Sequence, residues 1–487
     1  MKLKKLLEQL EYTVLQGSDE KEIRELKDHA QQVKQGDVFV CIEGTVFDGH
    51  QFAKTAIQNG AVAIIVEREM VAEESISIIR VENTRQALAY MSATYFDYPA
   101  KQLNVIGVTG TKGKTSTTYF VKTMLEEAGF QVGLIGTIEI VTGKRVLRAK
   151  NTTPESIDIH RYLREMVAHG CEFAVMEVSS QALKLFRVEG IEFAIGIFTN
   201  LGKDHIGIHE HEDFAEYLTC KKKLFRQCKL GIGNIDDSHY KEMFHDAECK
   251  VETFGFCEDA DWRASGVQTV VEPENIGIQY CVTGHAEMEV EVGIPGIYSV
   301  YNSLAAIAVC QHFGIREEEI REACKSIRVR GRNEIIPVPG DFLLMIDFAH
   351  NAMSLEHLLK TLREYHPKRL VCVFGCGGNR SKLRRYEMGE VSGRLADLTI
   401  VTSDNPRDEE PQDIINDIKV GLAKSSGNYI EIVSRKEAIR YAIEHGQTGD
   451  LIVLAGKGHE DYQEIKGQKY DMDEREIIAQ VIEEKKR

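Results

Sequence analysis

Residues 105–129 read VIGVTGTKGKTSTTYFVKTMLEEAG. Small and β-branched residues lead as a strand into Gly110-Thr111-Lys112-Gly113-Lys114-Thr115-Ser116, and a helical pattern follows. Strand, glycine loop and helix in that order predict a phosphate cradle. Unpaired N–H groups at a helix N-terminus point outward, the dipole favours negative charge, and glycines let the backbone wrap closely round a polyphosphate. Lys114 is suited to neutralise β- and γ-phosphate charge, and the Thr115 hydroxyl to bind Mg²⁺. The plainer alternative is a glycine turn with an exposed lysine. The common P-loop spacing is not met: it needs glycine where Val108 stands, and the first loop glycine is Gly110.

Outward from this loop, strands alternate with helices nearly throughout, which predicts an α/β protein with mostly parallel sheets. A chain of 487 residues exceeds what one hydrophobic core supports, so several domains are expected. A first unit, residues 1–99, holds the short apolar runs GDVFVCIEG, AVAIIVE and ISIIRVE and closes at a linker around Pro99. A central, P-loop-ATPase-like unit, residues 100–328, continues through VGLIGTIEI, FAVMEVS, FAIGIFTN and a β-rich stretch near 263–294. In the third unit, residues 329–487, FLLMIDFA, RLVCVFGCG, LTIVTS and LIVLAG alternate with helices, a Rossmann-like pattern without the GxGxxG fingerprint.

The net charge of −16 argues against a general nucleic-acid or anionic-membrane binder, although local Arg and Lys can still hold an anionic substrate. The opening MKLKKLLEQLEY is amphipathic with early acids and does not read as a signal peptide, and no apolar run reaches membrane-spanning length. Eleven cysteines without a CxxC pair predict buried, reduced thiols in a cytoplasmic protein.

Other chemistry clusters near strand ends. Glu177, in VMEVSS, is a carboxylate at a strand's carboxyl end, where α/β sites are built, and Mg²⁺ wants such hard oxygens. A solvated strand end is the bland alternative. TNLGKDHIGIHEH gathers His205, His209 and His211; zinc is one reading, but H-x3-H-x-H lacks a helical frame, and loop packing is the other. The lysines of YLTCKKKLF read by themselves as a solvated helix face. SDNPRDEEP offers Asp404, Asn405 and Arg407 on one turn, with Arg380 in CGGNR and Gly456 and Glu460 in GKGHEDYQ. Both signs together suit an amino acid with a second zwitterionic centre: guanidinium grips its carboxylate, and Asp or Glu takes its ammonium.

TGTKGKTS resembles the ATP loop of the Mur ligases and folylpolyglutamate synthetases, and the likeness to the Mur ligases runs nearly end to end. It implies an enzyme that uses ATP to form an acyl phosphate, which an amine then attacks. On this likeness the whole stretch Gly110–Ser116, Asn302, Arg332, Asp347 and His350 bind ATP, with the third unit closing on it. Glu177 and His205 correspond to Mg²⁺ ligands. Lys221 corresponds to a lysine carbamoylated by CO₂, so Thr115, Glu177, His205 and Lys221 form the metal set, with Lys114 beside them in catalysis. Thr152 and Thr153 of NTTP, the pair Ser179-Ser180 and Arg187 hold the muramoyl-peptide.

The DNPR turn marks members that add meso-diaminopimelate to UDP-N-acetylmuramoyl-L-alanyl-D-glutamate; lysine-adding members lack the arginine found here as Arg407. The implied cofactors are ATP and Mg²⁺, and the implied partners are those two small molecules. Nucleic acid and membrane insertion are not expected, and a cytoplasmic monomer is. Departures exist: Ala30 and Gln31 stand where relatives carry Ser-Arg, Ser299 replaces an asparagine, Gln181 a histidine, and HNAMS the usual HTPDA. Three alternatives stay open. One is folylpolyglutamate synthesis, opposed by the DNPR turn and the complete first unit. Another is a paralogue joining L-lysine or another amine to a related carboxylate. The third is a nucleotide-binding regulator, which has no need of Glu177, His205 and Lys221 together.

Overall fold

The computed structural model describes residues 1–44, 48–72, 75–204, 206–207, 210–272, 275–425 and 427–485. They fall into two compact units, Met1–Arg263 with Leu304–Ile320, and Ala264–Ser303 with Arg321–Arg487.

The first unit contains a small sheet of β1 (Thr13–Gln16), β2 (Leu26–Lys27), β3 (Val38–Val40), β4 (Ala63–Val66) and β5 (Ser77–Arg80), in the order β1-β5-β4-β3-β2. Only β1 runs antiparallel. The three apolar runs expected as strands are β3, β4 and β5. The larger sheet comprises β6 (Asn104–Thr109), β7 (Val132–Ile135), β8 (Glu139–Val141), β9 (Val146–Arg148), β10 (Phe173–Glu177), β11 (Phe193–Phe198), β12 (Cys228–Asn234) and β13 (Lys250–Gly255). Its order there is β13-β12-β11-β6-β10-β7-β8-β9. The strands β6, β10 and β11 are parallel, nearly wholly buried and apolar on both faces, as a sheet covered by helices requires.

VGLIGTIEI does not continue as one strand. It breaks at Gly136 into β7 and an antiparallel β8, where a Cβ at Gly136 would stand 2.8 Å from Glu177 Oε1. The turn therefore exists where only a glycine lets the carboxylate lie against the backbone.

In the second unit, β14 (Trp262–Glu272), through which the division runs, is followed by β15 (Asn275–Gly284) and β16 (Met288–Val292), the last two paired antiparallel. A six-stranded sheet then uses β17 (Glu334–Ile336), β18 (Leu343–Asp347), β19 (Arg369–Phe374), β20 (Leu398–Val401), β21 (Tyr429–Glu431) and β22 (Asp450–Ala455), ordered β17-β18-β22-β19-β20-β21. Only β17 is antiparallel. Helix Ala352–Arg363 packs Leu355, Leu359 and Leu362 on one face with Leu370, Cys372 and Leu451, while Ile439, Ile443 and Ile478 cover Leu344, Val371 and Val373. Truncating such a leucine to alanine costs about 2–5 kcal/mol. A hairpin, β23 (Tyr462–Ile465) and β24 (Gln468–Asp471), follows β22.

All eleven cysteines are free and most are buried, as their spacing suggested. Among the described residues no helix is long and apolar enough to cross a membrane.

Candidate active site

In the first unit the glycine loop joins β6 to helix Lys114–Glu127. Gly113 caps that helix at φ 86° without a side chain, so no side-chain cap occupies its first N–H groups. Gly110, at φ 149°, lies so close to Thr199 and Asn200 that a Cβ would collide with them. Neighbouring loops fix the shape. Thr111 N–H donates to the Asn200 carbonyl at 2.8 Å, and Lys112 N–H to Asn200 Oδ1 at 2.9 Å. The Thr199 hydroxyl donates to the Lys112 carbonyl at 2.7 Å. Lys114 Nζ folds back to the Gly110 and Thr111 carbonyls at 2.9 and 3.1 Å, and half-buried Ser116 follows on the helix.

Beneath the loop lies Glu177, 1% exposed at the end of β10. Its oxygens accept from the Thr115 hydroxyl at 3.0 Å, from Thr137 N–H at 2.8 Å and from the Thr137 hydroxyl at 3.1 Å. Thr137 shares a 3.0 Å hydrogen bond with Thr152, and Thr153 donates to the Glu177 carbonyl at 2.8 Å. Ser179 N–H in turn donates to Thr153 Oγ1 at 3.1 Å, and Arg187 Nη1 to the Thr153 carbonyl at 3.1 Å. A second guanidinium nitrogen of Arg187 pairs with Glu155 at 2.5 Å. Thr115, Glu177, Thr152, Thr153, Ser179 and Arg187 thus form one bonded chain, with Thr137 as the member the sequence did not announce.

Lys221 is 1% exposed and donates to the Gly110 carbonyl at 2.9 Å, its Nζ 4.6 Å above the Tyr217 ring. Burial pushes its ammonium well below the usual lysine value, and the charge of Lys114 adds to the effect. The expected solvated lysine face is overturned at this position: the helix turns Lys221 inward. Tyr217, which no motif flagged, also hydrogen-bonds Thr111 at 3.0 Å. His205 and His209 lie outside the described residues. His211 is buried and packs in its loop, with Nε2 2.9 Å from Ser180 Oγ.

The second unit groups the remaining candidates. Asp347, at the end of β18, accepts N–H groups of Asn333 and Ala349 at 2.9 and 2.8 Å. Burial pushes its carboxyl up, opposed by the Arg332 charge and these bonds. Arg332 stacks 4.8 Å from the Phe348 ring, which also meets His350 at 4.7 Å and His459 at 4.8 Å. Asn302 lies 9% exposed on helix Ile297–His312.

Gly456 N–H donates to the Asp347 carbonyl at 3.0 Å, and a Cβ there would stand 2.9 Å from Asp404 Oδ2. Asn405 donates to Glu460 Oε2 at 2.9 Å while its own oxygen accepts from Lys457 Nζ at 3.0 Å and from Glu464 N–H at 2.9 Å. Burial raises the Glu460 carboxyl, but the Lys457 ammonium at 2.8 Å and the Asn405 bond outweigh it, and the net shift is downward. Arg407 donates from Nε to Glu464 at 3.2 Å and from Nη1 to the Gly378 carbonyl at 2.7 Å. Asp404 has Arg435 Nη1 4.0 Å away, and Arg435 pairs at 2.8 Å with Glu474, both fully buried. Arg380 stands apart: it is exposed and, among the described residues, neither hydrogen-bonded nor ion-paired. Lys457, Arg435, Glu464 and Glu474 escaped the sequence reading, since a lone charge beside a motif carries no signal of its own.

Three family descriptions match the chain: the Mur ligase family catalytic domain over residues 22–96, the Mur ligase middle domain over 108–310, and the Mur ligase glutamate ligase domain over 331–458. The chain belongs to the Mur ligase family, whose members are ATP-dependent, ADP-forming ligases. It is 41% identical to the UDP-N-acetylmuramoyl-L-alanyl-D-glutamate–2,6-diaminopimelate ligase of Clostridium perfringens, covering 100% of both chains. The enzyme of that name from Clostridium tetani is 40% identical, with 99% of this chain and 100% of the relative covered. A solved structure titled as that same ligase superposes with a TM-score of 0.71 at 26% identity, covering 96% of each chain. A further fold likeness, at a TM-score of 0.58 and 20% identity over 94% of this chain and 96% of the other, is a MurF ligase from Thermotoga maritima in complex with ADP.

Proposed function

We propose that this chain joins meso-diaminopimelate to UDP-N-acetylmuramoyl-L-alanyl-D-glutamate with cleavage of ATP to ADP and phosphate. The observation that carries the substrate choice is the Asp404–Arg407 turn, where carboxylate, amide and a braced guanidinium share one loop. The terminal carboxylate of the dipeptidyl nucleotide attacks the γ-phosphate, ADP leaves, and an amine of diaminopimelate displaces phosphate from the acyl phosphate, losing a proton as the amide forms. Gly110 to Ser116 hold the phosphates, and Lys114 turns from the loop carbonyls to the charge that develops there. Arg407, with Arg380, takes the distal carboxylate of the amino acid, and Asp404 and Glu460 take its ammonium. Ser179, Arg187, Thr152 and Thr153 hold the peptide end of the acceptor, while Asn302, Arg332, Asp347 and His350 contribute to the nucleotide.

Mg²⁺ fits the donor set. Glu177 is a buried carboxylate whose partners Thr115 and Thr137 are neutral hydroxyl and amide groups. Thr115 and Glu177 would hold the ion, which supplies neutralisation of phosphate charge when bound. A second cation does not fit beside a Lys221 ammonium. Carbamoylation of Lys221 would replace that cation by a carboxylate, with His205 as the companion ligand, and the depressed basicity of the buried amine favours the reaction with CO₂.

The domain limits 1–99, 100–328 and 329–487 belong to the same proposal, supported by the segments that the three family descriptions match. So do a monomeric state and a cytoplasmic location. The test is purified protein with ATP, Mg²⁺ and the muramoyl-dipeptide, offered meso-diaminopimelate or L-lysine in turn. Tripeptide formed with diaminopimelate alone is the expected outcome. Lysine used equally well would move the chain to the paralogue reading, and phosphate release without either amine would sink the assignment.

A further inference from the structure

Three ligand-type side chains meet in the first unit and are not assigned a role above. Helix Phe214–Lys222 is capped by Asp213, whose carboxylate accepts Glu216 N–H at 2.8 Å. Glu216 and Cys220 stand four residues apart and share one helix face. His211, just before the cap, is 1% exposed. Its Nε2 is held by the Ser180 hydroxyl at 2.9 Å, and its Nδ1 is buried without a hydrogen-bond partner, with Glu216 Oε2 3.5 Å away.

A ring nitrogen of His211, a carboxylate oxygen of Glu216 and Cys220 Sγ all lie within 4.8 Å of one another. Bonds of about 2.0–2.3 Å in a tetrahedral site put neighbouring ligand atoms roughly 3.3–3.8 Å apart, so closure needs about 1 Å of side-chain movement.

We infer that His211, Glu216 and Cys220 form a site for a borderline divalent transition metal, Zn²⁺ or its spectroscopic substitute Co²⁺. Nitrogen, carboxylate and thiolate together favour such an ion over Mg²⁺ or Ca²⁺. Ser180 fixes the imidazole through its other nitrogen, the usual way a metal-binding histidine is oriented. Lys184 occupies the opposite oxygen of Glu216, Oε1, at 2.7 Å, while Oε2 accepts the Glu212 N–H at 2.8 Å and lies 3.5 Å from the imidazole Nδ1. Binding converts the Cys220 thiol to a metal thiolate and releases its proton to water. Three protein ligands leave one position for water. The motif is H-x4-E-x3-C, which shares only His211 with the histidine cluster the sequence suggested. The site is independent of the ligase reading.

Full-length protein titrated with Co²⁺ and followed by visible and near-ultraviolet absorption tests it. A single equivalent per chain is expected to give tetrahedral bands with a thiolate charge-transfer band. Cys220→Ser removes the charge-transfer band. Glu216→Gln, on a half-buried side chain that leaves the fold intact, weakens binding at least about tenfold. Glu177→Gln leaves the spectrum unchanged, which separates this site from the Mg²⁺ ligands. Absence of a charge-transfer band, its survival in Cys220→Ser, or its loss in Glu177→Gln would each overturn the proposal.

Discussion

The phosphate loop and the Asp404–Arg407 turn handle charge by opposite means. In the loop, Lys114 and Lys221 rest on main-chain carbonyls, and the shape comes from main-chain groups: the Thr111 and Lys112 N–H groups donate to Asn200, and the Lys112 carbonyl accepts from the Thr199 hydroxyl. In the turn, Lys457, Glu460, Asn405, Glu464 and Arg407 hold one another through side chains. A backbone-built cradle keeps its form when a side chain is removed, so a substitution there acts on chemistry. A lattice of side chains loses form piece by piece, so a substitution acts on structure and recognition together.

The largest effect should come from the loop. Lys114→Ala removes a cation from developing phosphate charge without disturbing the N–H bonds of Thr111 and Lys112 to Asn200. ADP release should fall by about 10³-fold or more, with an unchanged melting curve. Turnover within tenfold of the parent would place the phosphate charge elsewhere and remove the contrast.

Next in size is a stability effect in the second unit. Glu474→Ala leaves the fully buried Arg435 with Asp404 4.0 Å away as its remaining carboxylate. Stranding one member of a buried pair costs about 3–5 kcal/mol, readable from urea denaturation. A loss below about 1 kcal/mol would mean that the guanidinium finds water, and that the turn is less dependent on side-chain pairing than argued.

These two regions differ equally in how plainly the sequence announces them. Gly110, Gly113 and Lys114 sit at fixed spacing because backbone geometry demands it, and the strands β6, β10 and β11 are continuous apolar runs, so loop and sheet order of type were readable. Arg407 and Asn405 were readable only as a turn with both signs. Their partners Lys457 and Glu464 come from a later strand end and hairpin, and no local pattern encodes such pairing. The inward turn of Lys221 was hidden for a related reason: three consecutive lysines look solvated until packing chooses one. Thr137 was hidden because the break at Gly136 depends on a carboxylate from β10.

Acid response gives a third, smaller contrast. His160, in the first unit, is buried with neither ring nitrogen hydrogen-bonded, and burial alone drives its pKa down to about 4. Its value unfolded is near 6.5, so the folded chain binds fewer protons there. The stability it contributes is complete above about pH 6.5 and is lost as pH falls towards 4, about 3 kcal/mol in all. His459, in the second unit, also reaches about 4, through burial and then the Arg332 charge. His160→Leu should flatten the fall in stability between pH 6.5 and 4, and added salt should leave the His160 contribution unmoved. An unchanged slope in His160→Leu would assign the acid response to other groups.

The smallest effect is the most specific. Arg407 occupies a left-handed backbone at φ 51°, clamped by its N–H on the Glu464 carbonyl at 3.0 Å and by Lys466 N–H on its own carbonyl at 2.7 Å. A residue with a side chain holds that conformation at a cost of about 1–2 kcal/mol, which glycine escapes. In Arg407→Gly this relief offsets the loss of the side-chain bonds to Glu464 and Gly378, so the net change in stability should be small while the guanidinium is removed. If the side chain grips the distal carboxylate of diaminopimelate, kcat/KM for that amine falls about 10–100-fold through KM, while KM for ATP holds. Arg407→Lys keeps the charge but not the planar fork, so it recovers only part of the loss. Discrimination between diaminopimelate and lysine should shrink in each variant by the factor its own kcat/KM for diaminopimelate falls, and so less in Arg407→Lys than in Arg407→Gly. An undiminished preference in a well-folded Arg407→Gly would mean that Arg407 only braces Glu464 and Gly378, and that the carboxylate is read by another cation such as Arg380.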